Sequence, residues 1–176
     1  MSDHGGTVPG EGSSPWRSEA PCAHASWLPT RTAAQTTGSL VACLRPSGPT
    51  TWATGTSAPC LSVFKPAPLD AALFAPRPVA EAKFDAGELW WRHERLHRAC
   101  LRQYAARRVT FAEERERFQD QCLRPAAMAR PAWEQHGEWV DRWLQKALAV
   151  KTAEGPSLQR MYWSKQSRFN VLPTSP

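Results

Sequence analysis

His93 and His97 stand four residues apart, with Glu94 between them, in the string His93-Glu94-Arg95-Leu96-His97. On a helix that spacing puts both imidazoles on one face. Two such histidines can hold zinc while the intervening glutamate acts as general base of a hydrolase. His136 or a downstream glutamate is the nearest candidate for a third ligand. The competing reading has no metal, and it is the one adopted: the histidines form hydrogen bonds within the packing of the helix, and no cofactor is expected.

A second group is Thr54-Gly55-Thr56-Ser57-Ala58-Pro59-Cys60. Its hydroxyls, its thiol and a glycine that permits close backbone approach suit the wall of a small polar pocket. Thr54, Gly55, Thr56 and Cys60 are therefore substrate-pocket candidates, with His24 behind them. The plainer alternative is a strand running into a proline turn, its cysteine packed as a small hydrophobe. Cys22 and His24 lie too close in sequence to establish a Cys–His dyad, which depends on proximity in space. Ser2 becomes a terminal nucleophile only if Met1 is removed and a fixed strand follows, and here a glycine-rich stretch follows. No residue is assigned a catalytic role.

The elements that position these groups are readable in outline. Residues 1–35 are rich in Gly, Pro, Ser and Thr and read as loop. Thr37–Leu44 and Thr51–Phe64 are strand-like runs around the turn-forming Arg45–Thr50, so an antiparallel hairpin is expected. Val41, Leu44, Trp52 and Phe64 should pack on something else, since an isolated hairpin is marginal in water. From Asp85 the period becomes helical. Asp85 with Glu88, and Thr110 with Glu113, have capping-box spacing. Apolar stripes follow at Leu89, Leu96, Cys100 and Tyr104, then at Phe111, Phe118 and Cys122, then at Trp133, His136, Val140, Trp143, Ala147 and Leu148. Pro131 suits a first helical turn, and a last helix is expected near Ser157–Asn170. The order is α+β: a hairpin over 36–66, then three or four helices over 85–170.

Composition narrows the function classes. The 176 residues carry a net charge of +6, but the arginines after Asp85 alternate with glutamates. That is a solvated, ion-paired helix face. Nucleic acid asks for an unbroken basic stripe, so no nucleic-acid partner is expected. The five cysteines are scattered without a CxxC pair, which suggests reduced thiols in a cytoplasmic protein. No secretory signal and no apolar run long enough to span a bilayer is found, and no membrane partner is expected.

Several strings in this order resemble the C-terminal region of secernin-like proteins. They are DHGG (Asp3–Gly6), PCAHA (Pro21–Ala25), TTGSLVA (Thr36–Ala42), TWATGTSAPCLSVFKP (Thr51–Pro66), LWWRHERLHR (Leu89–Arg98) and MYWSKQSRFN (Met161–Asn170). The two longest are the specific ones, and the likeness is weakest over Leu123–Gly155. The resemblance implies cysteine dipeptidases of the N-terminal-nucleophile hydrolase class, built as a four-layer αββα sandwich. In that class a terminal cysteine attacks the substrate carbonyl and its own α-amine is the base. That cysteine lies upstream of the DHG-like string, so no residue here is matched to it. The expectation is a C-terminal fragment that is inactive alone and handles a dipeptide only in the full-length protein. A non-catalytic interaction module of secernin type is the alternative, and the zinc hydrolase using His93, Glu94 and His97 is a minor one. A partial sheet also predicts self-association through its exposed edge.

Overall fold

A computed structural model describes residues 35–69, 82–124, 129–151 and 157–173. Within them are three strands, β1 (Leu40–Cys43), β2 (Thr50–Ala53) and β3 (Lys65–Pro66). Five helices follow: α1 (Leu89–Leu101), α2 (Tyr104–Val109), α3 (Ala112–Cys122), α4 (Ala129–Ala149) and α5 (Ser157–Phe169). The strands form one antiparallel sheet in the order β1-β2-β3. The architecture is α+β, as the order of sequence patterns requires.

The hairpin forms where the Pro-Gly loop directs it. Val41 faces Trp52 and Cys43 faces Thr50. Gly48 has φ +111°, and its N–H donates to the Arg45 carbonyl at 2.9 Å. The second expected strand is shorter than its composition suggests. It ends at Ala53, and the chain turns through Gly55 (φ +59°) and Ala58 (φ +45°) before re-entering the sheet as β3. Two left-handed residues so close together cannot continue a pleat.

The two sheet edges differ. Beside β3, the Gln119 side chain takes the place of a strand: Oε1 accepts from Phe64 N–H at 2.8 Å, and Nε2 donates to Phe64 O at 3.0 Å. Arg115 donates to Ser62 O at 3.1 Å on the same side. β1, among the described residues, pairs with β2 alone. Leu40, Val41 and Leu44 are 60%, 47% and 82% exposed, so the expected burial of Val41 and Leu44 does not occur. Trp52 and Phe64 are half-buried.

The helical stripes bury as their spacing directs. Leu96, Cys100, Tyr104, Phe111, Phe118, Cys122, Val140, Trp143 and Ala147 share one core with Leu61 and Val63 from the β2–β3 connection. Trp143 stacks on Phe111 with centroids 5.5 Å apart. Each large apolar side chain taken fully out of water is worth about 1.5–3 kcal/mol. Pro131 does lie in the first turn of α4.

The expected caps do not form. Helix α1 begins after Glu88, which makes no side-chain cap, while Asp85 Oδ1 accepts from Gly87 N–H at 2.7 Å in a tight turn. The Thr110 hydroxyl donates backward to Arg107 O at 2.7 Å instead of capping α3. A fifth helix arises because Gln103 (φ −152°, ψ 72°) breaks the run between α1 and α2. The buried Arg107 closes that corner. Its guanidinium donates to Ala99 O at 2.6 Å and Val150 O at 3.1 Å, satisfying carbonyls left over at the ends of α1 and α4.

Candidate functional site

The segment after β2 is the polar centre of the fold. Thr54, Thr56, Ser57 and Ser62 have no exposed surface, and neither has Lys65, the first residue of β3. Each hydroxyl that is paired finds its partner locally. Thr54 Oγ1 accepts from Ser39 N–H at 3.0 Å, which ties the segment to the chain entering β1. Thr56 Oγ1 donates to Ser62 Oγ at 2.6 Å. Cys60 Sγ accepts from the Tyr104 hydroxyl at 3.0 Å. Gly55 is exposed, but a Cβ there would sit 2.5 Å from Trp133 Cζ3, so the glycine lets α4 close onto the turn.

Four of the five sequence-designated pocket residues are thus brought together. Thr54, Thr56 and Cys60 are buried in the molecule's own packing, and Gly55 lies under Trp133. His24, the fifth, lies outside the described residues, as do Ser2, Cys22 and the DHGG string.

The residue with the most unusual environment is Lys65. Its Nζ donates to Thr54 O at 2.6 Å and to Val63 O at 2.9 Å, lies 2.9 Å from His136 Nδ1, and sits 4.3 Å from the centre of the Trp133 ring. Among the described residues no carboxylate forms an ion pair with it. Burial pulls its pKa from 10.5 to about 7, with the Cys122 thiol acting weakly in the other direction. The ammonium form can donate to all three, whereas the neutral amine can donate to the two carbonyls and accept from His136 Nδ1–H. A lysine in the apolar run Val63-Phe64-Lys65-Pro66 was the available signal in the sequence. Composition alone cannot say that such a lysine is buried, because most are not.

His136 lies on the buried face of α4, and its ring is 5.9 Å from that of His93 on α1, centre to centre. Burial pushes His93 down to about 3, and the charges of His97 and Lys65 push the same way. His136 falls well below the usual histidine range for the same leading reason, with Lys65 second. Both rings are therefore neutral at physiological pH.

His97, by contrast, belongs to a separate network. Its Nδ1 is 3.1 Å from Glu94 Oε2, which also accepts from Gln35 Nε2 at 2.7 Å, while Arg98 Nε donates to Glu94 Oε1 at 2.7 Å. Burial alone would raise the Glu94 pKa. The hydrogen bonds and charges of His97 and Arg98 outweigh it and bring the carboxyl down to about 2. Arg98 extends the network to Ser167 and Asn170 at the end of α5. The two histidines of the HERLH string thus have different neighbours, His93 beside His136 and His97 beside Glu94 and Trp163. Among the described residues no group of three His, Cys, Asp or Glu side chains is placed to hold a metal ion.

The buried cysteines are held as thiols. Burial raises Cys100 to about 12 and Cys122 to about 11, with Arg107 and Lys65 only partly opposing it. Neither is an activated nucleophile, which requires a depressed pKa or an adjacent base. Among the described residues no helix is long and apolar enough to cross a membrane. Comparison of the chain with protein-family models, with curated proteins and with solved structures gave no match.

Proposed function

We propose that this chain is the C-terminal scaffold of a secernin-like cysteine dipeptidase, acting in the cytoplasm on short peptides. The observation that carries the reading is that the two longest family-like strings form one buried unit. Leu61 and Val63 of the first share a core with Leu96 of the second, and Lys65 reaches His93 through His136. Segments that a family uses as one piece are expected to fold as one piece. The edge of β1, unpaired among the described residues, supports the same reading, because a larger sheet of an αββα sandwich would continue there. In this reading the attacking thiolate comes from outside the described residues. Thr54, Gly55, Thr56 and Cys60 back the substrate pocket without performing chemistry.

The test is hydrolysis of dipeptides by the chain with and without a co-expressed upstream half bearing a terminal cysteine. The expected result is no turnover by the chain alone and turnover by the pair, abolished when that terminal cysteine is replaced by alanine. Turnover by the chain alone that survives a chelator rejects the reading.

The non-catalytic alternative, an interaction module, has one observation in its favour. Leu40, Val41 and Leu44 form an exposed apolar ribbon on a strand with an unpaired edge among the described residues. A pair of halves that assembles but never hydrolyses a peptide decides for it.

A further inference from the structure

Among the described residues, Nε2 of His136 has no hydrogen-bond partner and neither nitrogen of His93 meets a side-chain partner; the Leu61 backbone is the hydrogen-bonding group at His93. Both residues have no exposed surface. A neutral imidazole carries one N–H donor and one bare acceptor. A buried polar group left unpaired costs the fold its full desolvation penalty, so native structures rarely leave one.

The tautomer of His136 follows from Lys65. The ammonium spends two N–H bonds on Thr54 O and Val63 O, and its third points to His136 Nδ1 at 2.9 Å. While Lys65 is charged, below about pH 7, that nitrogen is therefore bare and the His136 proton is on Nε2, facing away from Lys65. Across from it is His93, 5.9 Å away centre to centre, with no direct hydrogen bond between the rings. The Leu61 backbone hydrogen-bonds one nitrogen of His93 and favours its protonated form, as a carbonyl does. The His136 Nε2–H donor and the remaining His93 nitrogen as acceptor supply two of the about three hydrogen bonds that a buried water takes.

We propose that His93 and His136 form the binding site of one structural water molecule, which accepts from His136 Nε2–H and donates to a His93 nitrogen. Apolar walls close the site: Phe118 and Trp143 each lie 6.0 Å from the His136 ring. The chemistry favours water over a metal ion. Lys65 already places one cation against His136, and Arg92 and His97 add to the positive field at the two histidines. Glu94, the carboxylate that acts on His93, is committed to His97 and Arg98, and Cys122 beside Lys65 is a thiol. The water would join β3, α4 and α1 through Lys65, His136 and His93 in one continuous chain of hydrogen bonds. This inference is independent of the hydrolase reading.

A high-resolution crystal structure of the full chain tests it. The expected result is one solvent peak within about 3 Å of both His136 Nε2 and a His93 nitrogen. Two outcomes overturn the proposal: rings packed together with no peak, or an anomalous signal that identifies a metal. In solution, nitrogen-15 spectra below pH 7 should show His136 as the Nε2–H tautomer. An Nδ1–H tautomer there also overturns it. Water relaxation dispersion should then lose one long-lived water on going from the native chain to His93→Leu, and an unchanged count in a folded variant counts against the site.

Discussion

Lys65 Nζ and His136 Nδ1 are 2.9 Å apart, and neither residue has exposed surface. One belongs to the shortest strand and the other to the longest helix, so the contact couples the sheet to α4. It also places a cation where no described carboxylate answers it. The carbonyls of Thr54 and Val63 and the face of Trp133 replace the lost hydration. The arrangement holds only while the neighbouring rings stay neutral, which makes the fold sensitive to acid.

The pH dependence has a definite sign. Folded Lys65 titrates near 7 and unfolded lysine near 10.5, so between those values the unfolded chain binds more protons and stability falls as pH falls. Folded His93 titrates near 3 against 6.5, which extends the loss from about 6.5 downward. Glu94, near 2 against 4.5, adds a third window of the same sign below about 4.5. Each group contributes a slope of about 1.4 kcal/mol per pH unit within its window. Urea midpoints measured from pH 9 to pH 4 should therefore fall steadily. His93→Leu should reduce the slope below pH 6.5 without abolishing it, because His136 acts with the same sign there, and an unchanged slope would contradict the assignment.

Glu94 is expected to be structural, not a general base. It is 1% exposed and accepts from Gln35, His97 and Arg98 together. Glu94→Ala leaves the partly buried Arg98 without its carboxylate and strips two more partners, at a cost of about 2–4 kcal/mol. The urea midpoint should drop accordingly, with α5 loosened because Arg98 also holds Ser167 and Asn170. Hydrogen exchange at α5 reports this directly. A variant of native stability that has lost bound zinc would restore the metal reading.

Gly55→Ala tests the turn beneath Trp133. The new methyl would meet the Trp133 ring and stand on a backbone with φ +59°, which side chains rarely adopt. Loss of about 1–3 kcal/mol is expected from strain and displacement of the ring. Trp133 donates Nε1–H to Pro66 O at 2.9 Å, so its movement should also weaken β3. Proton spectra of the indole N–H would show the change, and an unshifted Trp133 resonance would place the ring elsewhere.

Periodicity carried most of this fold and little of its site. The helical stripes from Leu96 to Ala147 were legible because burial repeats with the helix turn. The caps at Asp85 and Thr110 were not, since spacing states that a cap is available and leaves open whether a tighter turn claims the oxygen first. The break at Gln103 has no composition signal, because neither Pro nor Gly marks it. His93 and His97 share a spacing but not a role, and only their neighbours on α4 and α5 separate them. The buried ammonium of Lys65 depends on three acceptors from Thr54, Val63 and His136, a convergence that no linear reading displays.

The edge of β1 yields the last prediction. Gln119 and Arg115 cover the backbone beside β3, whereas Leu40 and Val41 stand 60% and 47% exposed on a strand that, among the described residues, pairs on one side only. An apolar edge of this kind is a template for another strand. In the isolated chain the available strand is β1 of a second copy, running antiparallel. Val41→Lys puts a charge on that edge at little cost to the fold, because exposed substitutions usually stay within about 0.5 kcal/mol. Sedimentation should show concentration-dependent self-association of the native chain and a monomer for the variant, with equal urea midpoints at dilutions where the native chain is also monomeric. If, as the proposed function has it, an upstream half occupies this edge, the same substitution should weaken assembly of the two halves and lower any peptide hydrolysis by the pair. A variant that self-associates as strongly as the native chain would move the interface away from β1.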